Sequence, residues 1–376
     1  MQLDVLGDAS EMPSEIQRRP LSYAQPVARH LVHRAAVAEV FITDSARTGE
    51  HTFRVAAQWP RDHALYGPPA GGASDPLLFA ETLRQAMVYL AHVHHDIPLT
   101  HQFLGKACTF EITDLDALRT HGAPHEVELE VTWHWTPECR APHRFGLRVE
   151  AVLLVDGLAC GSGSLHVTTM DKRLYARLRG GERPAAGPVR PVGALRRLSA
   201  VSVGRQRPGD SVVGLGRDGR WQILVDPRHA IYFDHPSDHL PMMVMLESIR
   251  QVGHAVQRTS DDSVRGRYQM VGASGTFHAF AELDAPLYVV PRRPLVAAGT
   301  QRRFDARVDL VQNDAVVAEF TATWQRTAHL VPRRASVPVQ ASAAEVESLL
   351  DAGAKRMSHK LRTLSDKPSR AVGAMK

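Results

Sequence analysis

Between residues 51 and 59 apolar and polar side chains alternate, with Phe53, Val55, Ala57 and Trp59 on one face. That is the period-two pattern of a half-buried strand. A loop rich in Pro, Gly, His and Asp follows, and then the period changes. From 76 to about 92, Leu77, Leu78, Phe79, Leu83, Ala86, Met87, Val88 and Leu90 leave almost no polar side. This predicts a helix of about five turns, wrapped on most sides. Strands return after it. Residues 109–113 read as a short strand. Residues 126–135 alternate Val127, Leu129, Val131, Trp133 and Trp135 with Glu and His. Residues 144–167 read as a hairpin turning at Asp156-Gly157, a pair that favours a type I′ turn.

The same order recurs. Residues 59–86, WPRDHALYGPPAGGASDPLLFAETLRQA, align without a gap on 225–252, VDPRHAIYFDHPSDHLPMMVMLESIRQV, at a shift of 166. His63 falls on His229, Tyr66 on Tyr232, Glu81 on Glu247, Arg84 on Arg250 and Gln85 on Gln251. The period is too long for a solenoid, so the simplest account is two copies of one domain. The second copy predicts a strand at 221–225, a helix at 241–256, a strand around 275–282 and a hairpin at 304–324 turning near Asn313-Asp314. Pattern alone gives an α+β class, with a long buried helix against antiparallel strands in each half. Residues 1–28, broken by Pro13, Pro20 and Pro26, read as a loose N-terminal arm. The first domain spans 29–170 and the second 192–335. Between them, 171–191 is rich in Gly, Pro and Arg and reads as a linker. Residues 336–376 read as a C-terminal helix or disordered basic tail.

Composition narrows the class. A chain of 376 residues, 44% hydrophobic, can bury two cores without disulfides. The three cysteines form no C-x-x-C, which excludes a disulfide framework and a cysteine-rich zinc site and fits a reducing, cytoplasmic location. Cys108 and Cys160 sit in strand patterns and read as small core residues. No run of 18 apolar residues occurs, so no membrane helix is expected. The N-terminus is acidic and lacks an apolar run, so no secretory signal is read. The net charge of +5 suits a phosphate or an acidic partner, or serves solubility alone. The basic residues gather in the linker and tail without interleaved aromatics, which argues against nucleic acid. No P-loop, G-x-S-x-G elbow or G-x-G-x-x-G after a strand is present.

The candidate chemistry lies on the two helices. Glu81, Arg84 and Gln85 stand at i, i+3 and i+4, on one helical face, as do Glu247, Arg250 and Gln251. One reading is a structural ion pair. The favoured reading is a polar stripe facing a pocket, because charge inside an apolar helix is costly without a purpose. In such a pocket a carboxylate has a raised pKa and can serve as general base. The neighbouring Arg orients it or holds a substrate anion. The loops before the helices carry His63 and His229, with His235 and His239 added in the second copy. They serve acid–base work and substrate hydrogen bonding, or brace the backbone. The spacing of His229, His235 and His239 matches no common zinc pattern, and no metal is expected. His92, His94 and His95 read as surface residues favoured by the helix C-terminus. The fuller His/Asp loop favours the second copy as the active one.

The segment RHLVHRAAVAEVFITD (29–44), with DPLLFAETLRQA in the first helix and HAIYFDHPSDHLPMMVMLESIRQV in the second copy, resembles the A-factor biosynthesis hotdog family, which makes γ-butyrolactone signals in actinomycetes. The resemblance covers both repeats. It implies a tandem double hotdog, each unit a long central helix wrapped by an antiparallel sheet, paired as an intramolecular pseudo-dimer. It also implies an acyltransferase. A β-ketoacyl group would pass from a 3-oxoacyl thioester of acyl carrier protein or coenzyme A to the hydroxyl of dihydroxyacetone phosphate, towards a butyrolactone, butenolide or alkyl-furan signal. No cofactor is implied beyond the phosphopantetheine arm that carries the substrate, and further homo-oligomerisation is possible. On this reading Glu247 or Glu81 takes the hydroxyl proton and Arg250 or Arg84 meets the phosphate. Gln251, Gln85, His229, His63 and His235 line the substrate. The second copy also resembles hotdog dehydratases, but Phe233 stands where their loop His belongs, which argues against dehydration. A thioesterase, with water as acceptor, and a non-catalytic acyl-thioester-binding regulator are the alternatives.

Overall fold

The computed structural model describes residues 19–67, 72–181, 195–260, 266–292, 295 and 301–328. The first 18 residues of the expected arm, the linker from 182 and the basic tail lie outside them. In the first half the elements are β1 (Ile42–Arg47), β2 (Thr52–Trp59), α1 (Leu77–Val93), β3 (Gln102–Ile112), β4 (His125–Trp135), β5 (Arg144–Val155) and β6 (Leu158–Met170). A short helix, α2 (Lys172–Leu178), follows. The second half has β7 (Leu195–Arg197), β8 (Val213–Gly216), β9 (Trp221–Ile223), α3 (Met242–Ser260), β10 (Gly266–Phe277), β11 (Leu287–Pro291), β12 (Arg303–Gln312) and β13 (Ala315–Ala328).

All of these strands pair antiparallel in one sheet, ordered β1-β2-β4-β5-β6-β3-β10-β13-β12-β11-β9-β8-β7. Read outward from its centre, the first six strands of each half have the same order, with β7 an added edge strand of the second half, so the sequence repeat is a repeat of topology. The halves join where β3 meets β10, with Cys108 opposite Gly275 and Phe110 opposite Ala273. This is a double hotdog: two helices, each laid on its own half of one continuous sheet.

Sequence explains most of this. In β2 the alternation buries Phe53, Val55, Ala57 and Trp59. In α1, Leu77, Leu78, Phe79, Leu83 and Leu90 are sealed from solvent. Each such burial contributes roughly 1.5–3 kcal/mol, so this one helix is a main source of stability for its half. α3 reaches its strands through a glycine: a Cβ on Gly253 would come within 2.5 Å of the Trp324 ring on β13. Both hairpins turn as the pattern predicts, with positive φ at Asp156 and Gly157 and at Asn313 and Asp314. Cys108 and Cys160 are core residues, their thiols pushed up by burial to about 12 and about 11.

Three expectations are corrected. β3 starts at Gln102, well before 109, because its exposed Gly105 and Lys106 interrupt the apolar alternation. β10 ends at Phe277 where the pattern suggested a beginning. Its Gly272, Ala273, Ser274 and Gly275 are small because a neighbour crosses on either side, and small residues hide the alternation. Third, the Gly/Pro/Arg-rich stretch opens with α2, capped by Asp171, whose side chain accepts from Leu174 N at 2.8 Å. α2 is tied to the second half: Tyr175 Oη donates to Asp238 Oδ1 (2.7 Å), and Arg179 bonds Asp238 and Glu282 while lying 4.1 Å over the Phe280 ring.

Candidate active site

Glu81 stands on the sealed face of α1, and its carboxylate is fully engaged. Arg84 Nε donates to Oε2 at 3.0 Å and its Nη2 to Oε1 at 2.8 Å. Gln85 Nε2 donates to Oε1 at 2.7 Å and to the Glu39 carbonyl at 2.8 Å, while Gln85 Oε1 accepts from Phe41 N. A second guanidinium, Arg34, reaches the same carboxylate from the loop ahead of β1. Arg34 also lies 3.9 Å from Asp234 of the other half, which in turn accepts from the Ala35 and Ala36 amides at 2.6 and 2.9 Å.

The second half repeats the construction. Glu247 accepts from Arg250 (2.8 and 2.7 Å), from Gln251 (2.5 Å) and from Arg205 (2.8 and 2.5 Å). Gln251 joins it to the Asp210 carbonyl and the Val212 amide. Arg205 Nη1 crosses to the first half, donating to the Leu65 carbonyl at 2.6 Å and to Asp75 Oδ2 at 2.9 Å. Each helix glutamate thus anchors two arginines, and one arginine of each triad holds a carboxylate of the opposite half. Tyr66 and Tyr232 stand between the triads with their phenols raised well above 10 by burial, and then by the nearby Glu81 and Glu247 respectively.

This geometry reverses the expected acidity. Burial alone would raise the Glu81 carboxyl, but Arg34 and Arg84 outweigh it and hold it at about 2. Burial likewise opposes Arg205 and Arg250 at Glu247, and the arginines again win, well below the usual carboxylate range. The expectation of a raised carboxyl pKa is therefore corrected. With both oxygens occupied by guanidinium and amide donors, and no surface open to a substrate, such a carboxylate is not placed to take a substrate proton. The stripe does not open its glutamates onto a pocket; Glu81 and Glu247 are 1% and 0% exposed.

The arginines do reach cavities. The first, about 450 Å³, is lined by Arg34, Arg84, His33, Tyr66 and Met87 of the first half. From the second half it takes Tyr232, His235, His239 and the first turn of α3 at Pro241, Met242 and Met243. Phe103, Leu165 and Val167 add apolar lining. The candidate residues therefore meet crosswise: Arg84 of the first copy shares this space with His235 of the second. A neighbouring cavity of about 590 Å³ shares Gly105, His239 and Met242 with it and is lined mainly by apolar side chains, including Met245, Phe277 and Leu178. The counterpart of the first cavity in the other half, about 590 Å³, holds Arg205, Arg250, His63, His254 and Asp75.

The remaining candidates have other employment. His63 Nδ1 accepts from the Leu65 and Tyr66 amides (3.1 and 3.0 Å), and its Nε2 lies 3.3 Å from Glu39. His229 Nδ1 accepts from the Ile231 and Tyr232 amides, and its Nε2 pairs with Asp210 at 3.1 Å. Both brace the turn that carries the tyrosine. Gln85 and Gln251 are fully buried clamps between carboxylate and backbone. His235 lines the cavity with about half of its side chain exposed, 3.7 Å from Asp234, and its partial burial, followed by Arg84 and Arg34, lowers its pKa. His239 pairs with Asp238 (2.7 Å). Among the described residues no three His, Cys, Asp or Glu side chains are grouped to hold a metal. His92, His94 and His95 are not surface cations. His92 packs on His33, His94 bonds Ser45 Oγ at 2.8 Å, and His95 stacks on Trp133 at 4.1 Å; burial lowers the pKa of all three.

Sequence reasoning missed Arg34, Arg205, Asp75 and Asp234. A signal existed. Val32-His33-Arg34 matches Val203-Gly204-Arg205 at a shift of 171, and an ungapped alignment at 166 cannot show it. The five-residue difference falls in the β1–β2 pair, whose counterpart β8–β9 in the second half is shorter.

Two hotdog units that pool their polar residues at a shared seam define a tandem hotdog protein. The chain belongs to the A-factor biosynthesis hotdog domain family, whose domain matches residues 16–171 and 192–328. It is 36% identical over 292 residues to a 2-oxo-3-(phosphooxy)propyl 3-oxoalkanoate synthase of Streptomyces virginiae, covering 77% of this chain and 95% of that protein. It is 33% identical over 274 residues to the synthase of that name from Streptomyces griseus, covering 70% and 84%. Among solved structures, a 12:0-ACP thioesterase from Umbellularia californica aligns at 12% identity and a TM-score of 0.39, over 74% of this chain and 100% of that one. Among the described residues no helix is long and apolar enough to cross a membrane.

Proposed function

We propose that this chain is an acyltransferase that moves a 3-oxoacyl group from a thioester to the hydroxyl of dihydroxyacetone phosphate. The product is the ester named in its curated relatives, a 2-oxo-3-(phosphooxy)propyl 3-oxoalkanoate. The donor is an acyl group on the phosphopantetheine arm of acyl carrier protein or coenzyme A. The reaction runs in the cytoplasm without a further cofactor, and its ester feeds a butyrolactone, butenolide or furan signal.

One observation carries the reading: the cavity between the halves is lined both by guanidiniums, Arg34 and Arg84, and by apolar side chains, Phe103, Leu165, Val167 and Met243 among them. Its volume, about 450 Å³, falls in the roughly 300–1,000 Å³ range of small-molecule sites. Arg34 Nε is buried without a hydrogen-bond partner among the described residues, and Arg84 Nη1 likewise has none. Both are suited to a phosphate oxygen. The leading amides of α3, at Met242 and Met243, have no intrahelical partner and sit at the positive end of the helix, where a thioester oxyanion would form. The apolar side chains take the acyl chain. Glu81 is a fixed anion that positions both guanidiniums, and Glu247 does the same in the other half.

Incubation with a 3-oxoacyl thioester of acyl carrier protein tests the proposal by product mass. Ester that forms only when dihydroxyacetone phosphate is present is the expected result. Free 3-oxo acid at the same rate with and without it means a thioesterase, and binding without turnover means a regulator.

A further inference from the structure

Acyl transfer needs an acceptor for the proton of the attacking hydroxyl, and both glutamates are sealed. The two halves differ at the residue that precedes their crossing arginines. A one-turn 3-10 helix, Arg29–Val32 in the first half and Val201–Val203 in the second, ends at each in a left-handed residue. In the second half that residue is Gly204 (φ 70), the type such a cap favours. In the first half it is His33 (φ 51), an imidazole at a backbone position that side chains rarely adopt. In the second half a ring from α3, His254, lies 3.0 Å from where a Cβ on Gly204 would stand.

The His33 ring lines the cavity beside Arg34, Arg84 and His235, and its neighbours fix its tautomer. His92 Nδ1 lies 2.6 Å from the Ile97 carbonyl, which only accepts, so Nδ1 carries the proton of neutral His92. His92 Nε2 is then an acceptor, and His33 Nε2, 3.0 Å away, is its donor. A neutral imidazole carries one N–H, so His33 Nδ1 presents a bare lone pair, with no partner among the described residues. Phe103 packs edge-on to both rings, at 5.4 and 5.5 Å, and holds the pair in place. Burial, followed by His92 and Arg84, takes His33 down to about 3 and keeps it unprotonated at neutral pH. A phosphate seated on Arg84 offsets the arginine's part of that shift, burial being the larger part.

We propose that His33 is the catalytic base of this cavity, an inference that rests on the acyl-transfer reading above. Its Nδ1 takes the hydroxyl proton as the acceptor oxygen bonds to the thioester carbonyl carbon. The carbonyl re-forms as the C–S bond breaks, and the same proton passes from His33 to the leaving sulfur. Ester and thiol are the products, with no net proton change. His92 is a positioning residue that fixes the tautomer.

His33→Gly tests this, because the backbone there favours glycine and the missing ring leaves room for free imidazole. With a 3-oxooctanoyl thioester on acyl carrier protein, kcat is expected to fall by about 10² or more, the range a positioned base supplies. The KM for dihydroxyacetone phosphate stays within about threefold, and added imidazole restores activity at least about tenfold, a recovery a structural role does not give. His33→Asn, whose side chain also tolerates positive φ, shows the same loss without that recovery. Ester from the unaltered chain together with undiminished ester from His33→Gly, or a loss that imidazole does not recover, overturns the role of His33 alone. No ester from the unaltered chain overturns the acyl-transfer reading, and this one with it.

Discussion

The two seam cavities are built on one plan and equipped differently. In the second-half site Arg205 spends every nitrogen: Nε and Nη2 on Glu247, Nη1 on the Leu65 carbonyl and on Asp75. Asp75 also accepts from the Leu77 amide, so the start of α1 is capped from within. In the first-half site Arg34 has only a distant carboxylate across the seam, at 3.9 Å, and its Nε is unpaired among the described residues. The position equivalent to Asp75 is Pro241, which offers no carboxylate at the start of α3. The crossing arginine of one copy has its donors satisfied by protein; that of the other keeps one in hand. Duplication preserved the latch in both halves and left a free donor on the crossing arginine of one, which is why the cavity that joins Arg84 to His235 is assigned the chemistry.

The sharpest way to break this comparison is to remove a latch. Glu247→Gln leaves two buried guanidiniums without their anion and is expected to cost about 3–5 kcal/mol, the range for breaking a buried pair. Chemical denaturation reads it as a lower midpoint. Glu81→Gln follows the same direction, with a smaller loss, since Arg84 is partly exposed and can find water. An unchanged midpoint with turnover lost by 10² or more would restore the glutamates as bases.

Acidification acts next. His33 and His95 sit at about 3 and about 4 against an ordinary 6.5, chiefly through burial. The unfolded chain therefore takes up protons first. The stability these rings contribute is complete above about 6.5 and is lost as pH falls through about 4 to 3. Glu81 adds a lower limb, complete above its ordinary 4.5 and lost as pH falls towards about 2. The denaturation midpoint is expected to be lower at pH 5 than at pH 7, and His95→Gln should shrink that drop. A midpoint that does not move between the two would contradict the buried, neutral histidines of the first half.

The smallest effect compares the hairpins. The first turns on Asp156-Gly157 and the second on Asn313-Asp314, where Asp314 holds φ 60. Asp314→Gly should stabilise by a few tenths to about 1 kcal/mol by relieving a left-handed backbone. A destabilised variant would mean that the aspartate side chain supports this turn.

The halves of the fold were legible because Glu81, Arg84, Gln85 and their counterparts share one register with Trp59 and Tyr66, and α1 and α3 follow it within a residue or two. The polar stripe was legible as well, but its chemistry was not. Spacing on a helix places Arg84 beside Glu81 and cannot reveal Arg34, which arrives from a loop and doubles the positive charge on the same carboxylate. That second arginine turns a plausible base into an anchor. His33 lay in plain view between Val32 and Arg34, yet its meaning depends on a left-handed backbone and on His92 far along the chain, neither of which periodicity carries.

The most direct test sets Arg84→Gln against Arg250→Gln in ester formation with dihydroxyacetone phosphate and with unphosphorylated dihydroxyacetone. Losing a charge-assisted phosphate contact of roughly 1.5–3 kcal/mol should raise the phosphorylated acceptor's KM about tenfold or more in Arg84→Gln and erase its preference. Arg250→Gln should keep that preference. Preference lost in Arg250→Gln and kept in Arg84→Gln would put the reaction in the other cavity and contradict the assignment.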